Sequence, residues 1–382
     1  MVKRKKILIY GWFGENNLGD ELLLKSTLEL FDPKKFKCYV MGTKPKKVYK
    51  NHKNIYLAAT SFSMNLKKIV RTLVISPISS IRCLHECDIL VVAGGGALSD
   101  WNLSSTRDLF FLINYFHKKN KKIFLFGIGA GPFLYGGNNG EFLEVLSKAN
   151  FISTRDAYSY DLLKSIGLKN IVKSNDLAIY SEYALNKNIY PKKIKKIGIV
   201  LVPVCQKDIK IYTELKRQIS LLIKELSSKY EVSIIEFQKE YDNDFVNSLD
   251  FDRKKVKVYS ESNNIWNIIK YVDDQDLIIG MRYHSLVLAI ELKKYLIPIV
   301  YHSKSQELCK EFNLEEYASY IGDGENWEKS MIDYKNIIDS IEKIKANPYY
   351  SVNMDEIFSK KREKSLEKEM IERLNEYESK NI

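Results

Sequence analysis

Short apolar runs alternate with longer helix-period stretches along most of this 382-residue chain, and that alternation confines it to the α/β class. A first series of strand-like runs lies at 6–10 (KILIY), 36–41, 54–59, 88–93, 122–128, 151–154 and 170–172. A second lies at 196–204, 232–237, 256–259, 277–279 and 296–301. Strands joined through helices pair in parallel, so each series predicts a mostly parallel, doubly wound sheet. The stretch 181–193 (SEYALNKNIYPKK) lacks either period and contains Pro191, so it reads as a linker. A chain this long exceeds one comfortable core. The boundaries predicted are an N-terminal Rossmann-like domain over 1–182, a linker over 183–194, a second Rossmann-like domain over 195–350 and a C-terminal helix over 351–382.

In open α/β sheets, ligands bind beyond the carboxyl ends of the strands, so the residues there carry the functional reading. The richest such end is 276–285, DLIIGMRYHS, in which an apolar strand stops at Gly280 and a helical pattern starts within a few residues. Arg282 brings a forked cation to that turn, and His284 brings a side chain that exchanges protons near neutrality. The next strand, 296–301, delivers Lys304 to the neighbouring position if consecutive strands are adjacent. In the first series, KILIY runs into GWFGENNLGDE, whose glycines at 11, 14 and 19 miss the dinucleotide spacing G-x-G-x-x-G. Asn16, Asn17, Asp20 and Glu21 crowd this loop with side chains suited to hydroxyl ligands, or Asn17 and Asp20 simply cap the following helix, expected from Leu22. AGGGALSD at 93–100, with Gly95, Gly96 and Ser99, and GIGAGPF at 127–133 add two more glycine turns, which together suggest a lined crevice. Arg155 closes the strand at 151–154, with Asp156 beside it as an alternative partner.

Five scattered cysteines suit reduced thiols in the cytoplasm, and no run reaches the length of a membrane span. The short apolar strand directly after the basic start argues against a signal peptide. Cys83, His85 and Cys87 project in different directions from a helix and have no second ligand pair, so no metal site is predicted. The net charge of +12 is unevenly placed. Between residues 33 and 85 stand twelve Lys/Arg and no acid. Leu66, Ile69, Val70 and Leu73 follow helical spacing inside that stretch, with Lys67, Lys68 and Arg71 on other faces. The expectation is a peripheral contact with an anionic membrane surface or a lipid-linked acceptor; no nucleic-acid module is visible.

With those motifs read, GWFGENNLGDE, VVAGGGALSD, GIGAGPF, STRDAYSYDLLKSIG with SNDLA after it, and IIGMRYHSLVLA, in that order, resemble the bacterial polysaccharide pyruvyl transferases. The resemblance implies two Rossmann-type domains facing a cleft, the GT-B arrangement. It also implies transfer of a pyruvate ketal from phosphoenolpyruvate to a sugar of a cell-surface polymer, with no cofactor. It places Arg282 and His284, and Arg155 with them, at the donor site. Phosphoenolpyruvate carries a phosphate and a carboxylate, which Arg282, Arg155 and Lys304 could grip, while His284 as imidazolium could protonate the methylene and Asp20 could accept a hydroxyl proton. Two other readings fit the same frame: a GT-B glycosyltransferase using a nucleotide sugar, gripped through an acid such as Glu307 or Glu315, and a non-catalytic glycan-binding member.

Overall fold

The computed structural model describes residues 4–61, 77–96, 98, 103–131, 139–181, 189–261, 263–322, 333–347, 349–362 and 365–379. The chain separates into two compact units, the first comprising Met1–Glu15, Asp20–Ser181 and Lys364–Ile382, the second Asn16–Gly19 and Glu182–Glu363.

The first unit contains β1 (Lys5–Tyr10), α1 (Leu18–Glu29, whose first two residues belong to the second unit), β2 (Phe36–Gly42), α2 (Pro45–Asn51), β3 (Ile55–Thr60), α3 (Pro77–Glu86), β4 (Ile89–Ala93), α4 (Leu103–Lys118), β5 (Lys122–Ile128), α5 (Asn139–Leu146), β6 (Phe151–Thr154), α6 (Ala157–Ser165) and β7 (Ile171–Lys173). All its strand pairs are parallel, in the order β3-β2-β1-β4-β5-β6-β7. The central strands are buried on both faces, which is why they read as continuous apolar runs such as Ile89–Ala93 (ILVVA). Helix α1 starts a turn before Leu22, because the Asn17 Oδ1 accepts from the Gly19 N–H and so caps it earlier than the apolar period suggests.

The second unit contains β8 (Lys196–Val200), α7 (Ile209–Leu226), β9 (Glu231–Ile235), α8 (Lys239–Asn247), β10 (Lys257–Tyr259), α9 (Asn267–Asp273), β11 (Leu277–Gly280), α10 (Tyr283–Glu291), β12 (Tyr295–Val300), α11 (Ser303–Glu311), β13 (Ser319–Tyr320), α12 (Tyr334–Ala346) and α13 (Tyr350–Arg362). Its parallel sheet runs β10-β9-β8-β11-β12-β13. The apolar run 196–204 does not continue as strand to its end: β8 stops at Val200, and Pro203, which has no N–H, and Cys205, at φ 60°, lie in irregular backbone. The tail expected as one helix is two, α13 and then α14 (Leu366–Ser379). Glu367 of α14 is buried within the first unit, where the Ser153 hydroxyl donates to it at 2.5 Å.

In both sheets the strand order reverses once, between β1 and β4 in the first unit and between β8 and β11 in the second. Such a reversal sends successive connections to opposite sides of the sheet and opens a crevice at the strands' carboxyl ends. The turns after β1 and β4 carry GWFGENNLGDE and AGGGALSD, and the turn after β11 carries MRYHS.

Candidate active site

Gly280 ends β11 because the next helix must start immediately against the strand. A Cβ there would lie 2.6 Å from the Ser285 Oγ and 2.8 Å from a Leu286 methyl. The chain then turns through Met281 and Arg282, and the Arg282 carbonyl accepts from both the N–H (2.9 Å) and the hydroxyl (2.6 Å) of Ser285, which fixes the start of α10. Arg282 is thereby the helix's N-cap and His284 lies in its first turn.

The Arg282 guanidinium is held by a residue forty positions earlier. Its Nε donates to Asp242 Oδ2 at 3.2 Å and its Nη2 to Asp242 Oδ1. Asp242 is almost completely buried and also accepts from the N–H groups of Phe237 (3.1 Å) and Gln238 (2.9 Å), so its position is set by the turn after β9. The guanidinium has five donors, and this fork engages one edge of it, leaving Nη1 for an anion. The Tyr241 ring, half exposed, stands 5.8 Å from the guanidinium carbon. Tyr301, just past β12, completes the surroundings: burial pushes its hydroxyl pKa up, while the Arg282 charge pulls the other way.

His284 meets the ring of Tyr283 edge-on, at 5.3 Å between centroids. The imidazole also lies against Gly19, where a Cβ would stand 2.6 Å from Cγ and 2.9 Å from Cε1. The absence of a side chain at Gly19 is what makes room for the imidazole. The short segment Asn16–Gly19 is tied into the same unit by Leu18, whose N–H donates to the Phe237 carbonyl (3.1 Å), and by the Asn16 amide, which donates to Glu240 at 3.0 Å. Asn16 takes a left-handed conformation at φ 56°, which asparagine tolerates better than most residues. Lys304 lies in the first turn of α11, at the end of β12, the strand paired with β11. Its N–H is capped by the His302 Nδ1 at 3.3 Å.

In the first unit, Asp20 is half-buried in the first turn of α1. The neighbouring Glu21 has no exposure, accepts from the Gly14 N–H at 2.8 Å and meets the buried His52 Nε2 at 2.6 Å. Glu21, read from the sequence as one of the loop's hydroxyl-binding side chains, is instead fully buried, and with His52 it pins the Gly14 turn at φ 92° to the helix. The two later glycine turns bond to one another: Gly129 donates to the Gly95 carbonyl at 2.8 Å and Gly131 to the Leu98 carbonyl at 2.7 Å. A side chain on Gly94 would strike Leu23 of α1 at 2.8 Å, whereas one on Gly96 would meet nothing within 4 Å. Arg155 is buried, its Nε donates to Asp156 at 2.9 Å, and its guanidinium covers Gly129, where a Cβ would meet its central carbon at 2.5 Å. Asp156 at the same time caps α6 through the Ser159 N–H. Ser99 and the helix expected around Lys67, Lys68 and Arg71 lie outside the described residues.

Cys83 in α3 and Cys87 just after it are fully buried while His85 is exposed. Of the two acids weighed for a ribose, Glu307 is turned back onto Lys310 at 2.8 Å and Glu315 is exposed. Among the described residues, no helix is long and apolar enough to cross a membrane.

The sequence signature of a family described as Polysaccharide pyruvyl transferase matches residues 17–303. No curated protein matches the sequence. Among solved structures, the chain is similar to a Staphylococcus aureus MnaA–UDP co-structure, with a TM-score of 0.61 at 12% identity over 92% of this chain and 91% of that one. It is also similar to the spinosyn rhamnosyltransferase SpnG, with a TM-score of 0.60 at 8% identity over 98% of this chain and 100% of that one. A third, a UDP-GlcNAc 2-epimerase from Neisseria meningitidis bound to UDP-GlcNAc, gives a TM-score of 0.54 at 12% identity over 92% and 94%. At such identities the likeness establishes the fold alone, the GT-B class of two Rossmann-type units.

Proposed function

The chain belongs to the polysaccharide pyruvyl transferase family, and from that premise we propose that it moves the enolpyruvyl group of phosphoenolpyruvate onto two hydroxyls of a sugar in a cell-surface polysaccharide precursor, as a pyruvate ketal. The observation that carries the reading is the turn after β11, where Arg282 is locked by Asp242 and His284 is accommodated by Gly19.

The donor is a small dianion or trianion, so its site needs cations on a rigid frame. Arg282 is pre-oriented, which reduces the entropy lost on gripping a phosphate or carboxylate. Lys304 and the first turns of α10 and α11 supply further positive character along adjacent strands, and Arg155 is assigned to the same donor. His284, as imidazolium, gives its proton to the methylene carbon, which becomes the ketal methyl group. A sugar hydroxyl attacks the cationic central carbon and loses its proton; a second hydroxyl then displaces phosphate, which leaves with its electron pair. Asp20 is assigned to take up a hydroxyl proton, and Asn17, Gly95, Gly96 and Ser99 to the acceptor side. No cofactor or metal enters this sequence of steps.

The test of the donor class is ligand protection against thermal unfolding. Phosphoenolpyruvate should raise the melting temperature of the wild type and not of Arg282→Ala. Protection by nucleotide sugars with none by phosphoenolpyruvate would replace this reading with glycosyl transfer.

A further inference from the structure

The first unit carries a second surface along its β2–β3 edge, where α3 starts beside the end of β3, the Ser80 hydroxyl donating to the Thr60 carbonyl at 2.9 Å, and runs back toward the strands' amino-terminal ends. Arg82 and the exposed isoleucines Ile78 and Ile81 occupy the outer face of α3, while Ser80, Cys83 and Leu84 turn inward. Arg82 donates to the Tyr56 hydroxyl of the edge strand β3 at 3.3 Å, and Lys37 of β2 lies 4.5 Å above the same ring. Tyr56 is itself 45% exposed and Ile78 81% exposed. Cations continue along the amino-terminal ends of these strands: Lys34 and Lys35 precede β2, Lys53 precedes β3, and Arg4 reaches the Pro33 carbonyl at 3.3 Å. Among the described residues, acids nearby are engaged: Asp88, before β4, accepts from the Lys6 N–H at 3.4 Å. Asp32 accepts from the Lys34 N–H of its own turn, and Glu86 is shared among Lys6, Arg82 and the Tyr39 hydroxyl.

We propose that this edge, formed by β2, β3 and α3, docks the protein on an anionic lipid surface. Exposed isoleucines and a tyrosine amid lysines are the combination that an interface of acyl chains and anionic headgroups favours, with the ring at headgroup level and the ammonium groups beside the phosphates. A soluble acidic partner would answer the charge and leave Ile78 and Ile81 unexplained. The inference stands on these residues and does not depend on the reaction proposed above.

Co-sedimentation with vesicles tests it, using phosphatidylcholine alone and phosphatidylcholine mixed with phosphatidylglycerol. The full chain should pellet with the anionic vesicles only, and less as salt is added. Changing Lys34, Lys35, Lys37 and Lys53 together to Gln should lower partitioning at least about tenfold. Ile78→Ser with Ile81→Ser should weaken it with no change in charge. The control variant, with Lys210, Lys216, Lys224 and Lys229 of the second unit changed to Gln, removes the same charge and should bind as the wild type does. Circular dichroism melts matching the wild type confirm that each variant is folded. Equal binding to neutral and anionic vesicles, binding to neither, or equal loss in the control variant would overturn the proposal.

Discussion

Gly19→Ala places a single methyl group against the imidazole of His284. Built on the backbone as it stands, the new Cβ lies 2.6 Å from Cγ and 2.9 Å from Cε1, whereas ordinary contact begins at 3.4 Å. Because Gly19 sits in the first turn of α1, alanine itself suits the backbone and the strain falls on the ring, which must retreat by about 1 Å. A misplacement of that size at a reacting group costs on the order of a hundredfold in rate, within the ~10²–10⁴-fold that a general acid contributes. The assay is phosphate release from phosphoenolpyruvate in the presence of a sugar acceptor, run as a double-mutant cycle with His284→Ala. Gly19→Ala alone should lower kcat roughly a hundredfold and leave the melting temperature within a few degrees of wild type. In the His284→Ala background it should cost almost nothing more, since the group it displaces is gone. Two independent, multiplying losses would refute the reasoning, as would a fully active Gly19→Ala enzyme.

Other expectations follow from the ion pairs. Asp242→Ala leaves the Arg282 charge without its partner and two backbone N–H groups without their acceptor, and should cost about 3–5 kcal/mol in urea unfolding; a loss under about 1 kcal/mol would show that the fork is not structural. Glu86 is held at about 2, below its ordinary 4.5, first by the Lys6 ammonium and then by Tyr39 and Arg82. Its contribution to stability is therefore complete above about pH 4.5 and is lost as the pH falls toward 2. The gap in urea midpoint between wild type and Glu86→Gln should narrow over that window, and a gap constant with pH would contradict the assignment.

Much of this fold was legible because its strands are buried on both faces. ILVVA at 89–93 and LIIG at 277–280 have no alternation to misread, and the helices between them force parallel pairing. Arg282 and His284 stood out for the same reason, since a strand ending in glycine and followed at once by a helix marks a ligand-binding edge in this architecture. What holds them was not legible. Asp242 belongs to a charged, apolar-poor stretch, KEYDND, that reads as a solvated helix start, and only the approach of the β9 and β11 turns turns it inward. Glu21 reads as a loop acid beside Asp20, suited to a hydroxyl ligand, yet it is the one fully buried, because α1 starts earlier and points its side chain at Gly14 and His52. Gly19 looked like one more loop glycine, and its role depends on a histidine 265 positions away.

The most direct test of the central claim is mass spectrometry of a panel of free and lipid-linked sugar acceptors incubated with the protein and phosphoenolpyruvate. The account predicts that an acceptor gains the mass of one pyruvate ketal as one phosphate is released. It also predicts that His284→Ala slows this gain by ~10²–10⁴-fold while still binding phosphoenolpyruvate. Undiminished turnover by His284→Ala would contradict it, and so would transfer of a glycosyl group from a nucleotide sugar with phosphoenolpyruvate left unconsumed.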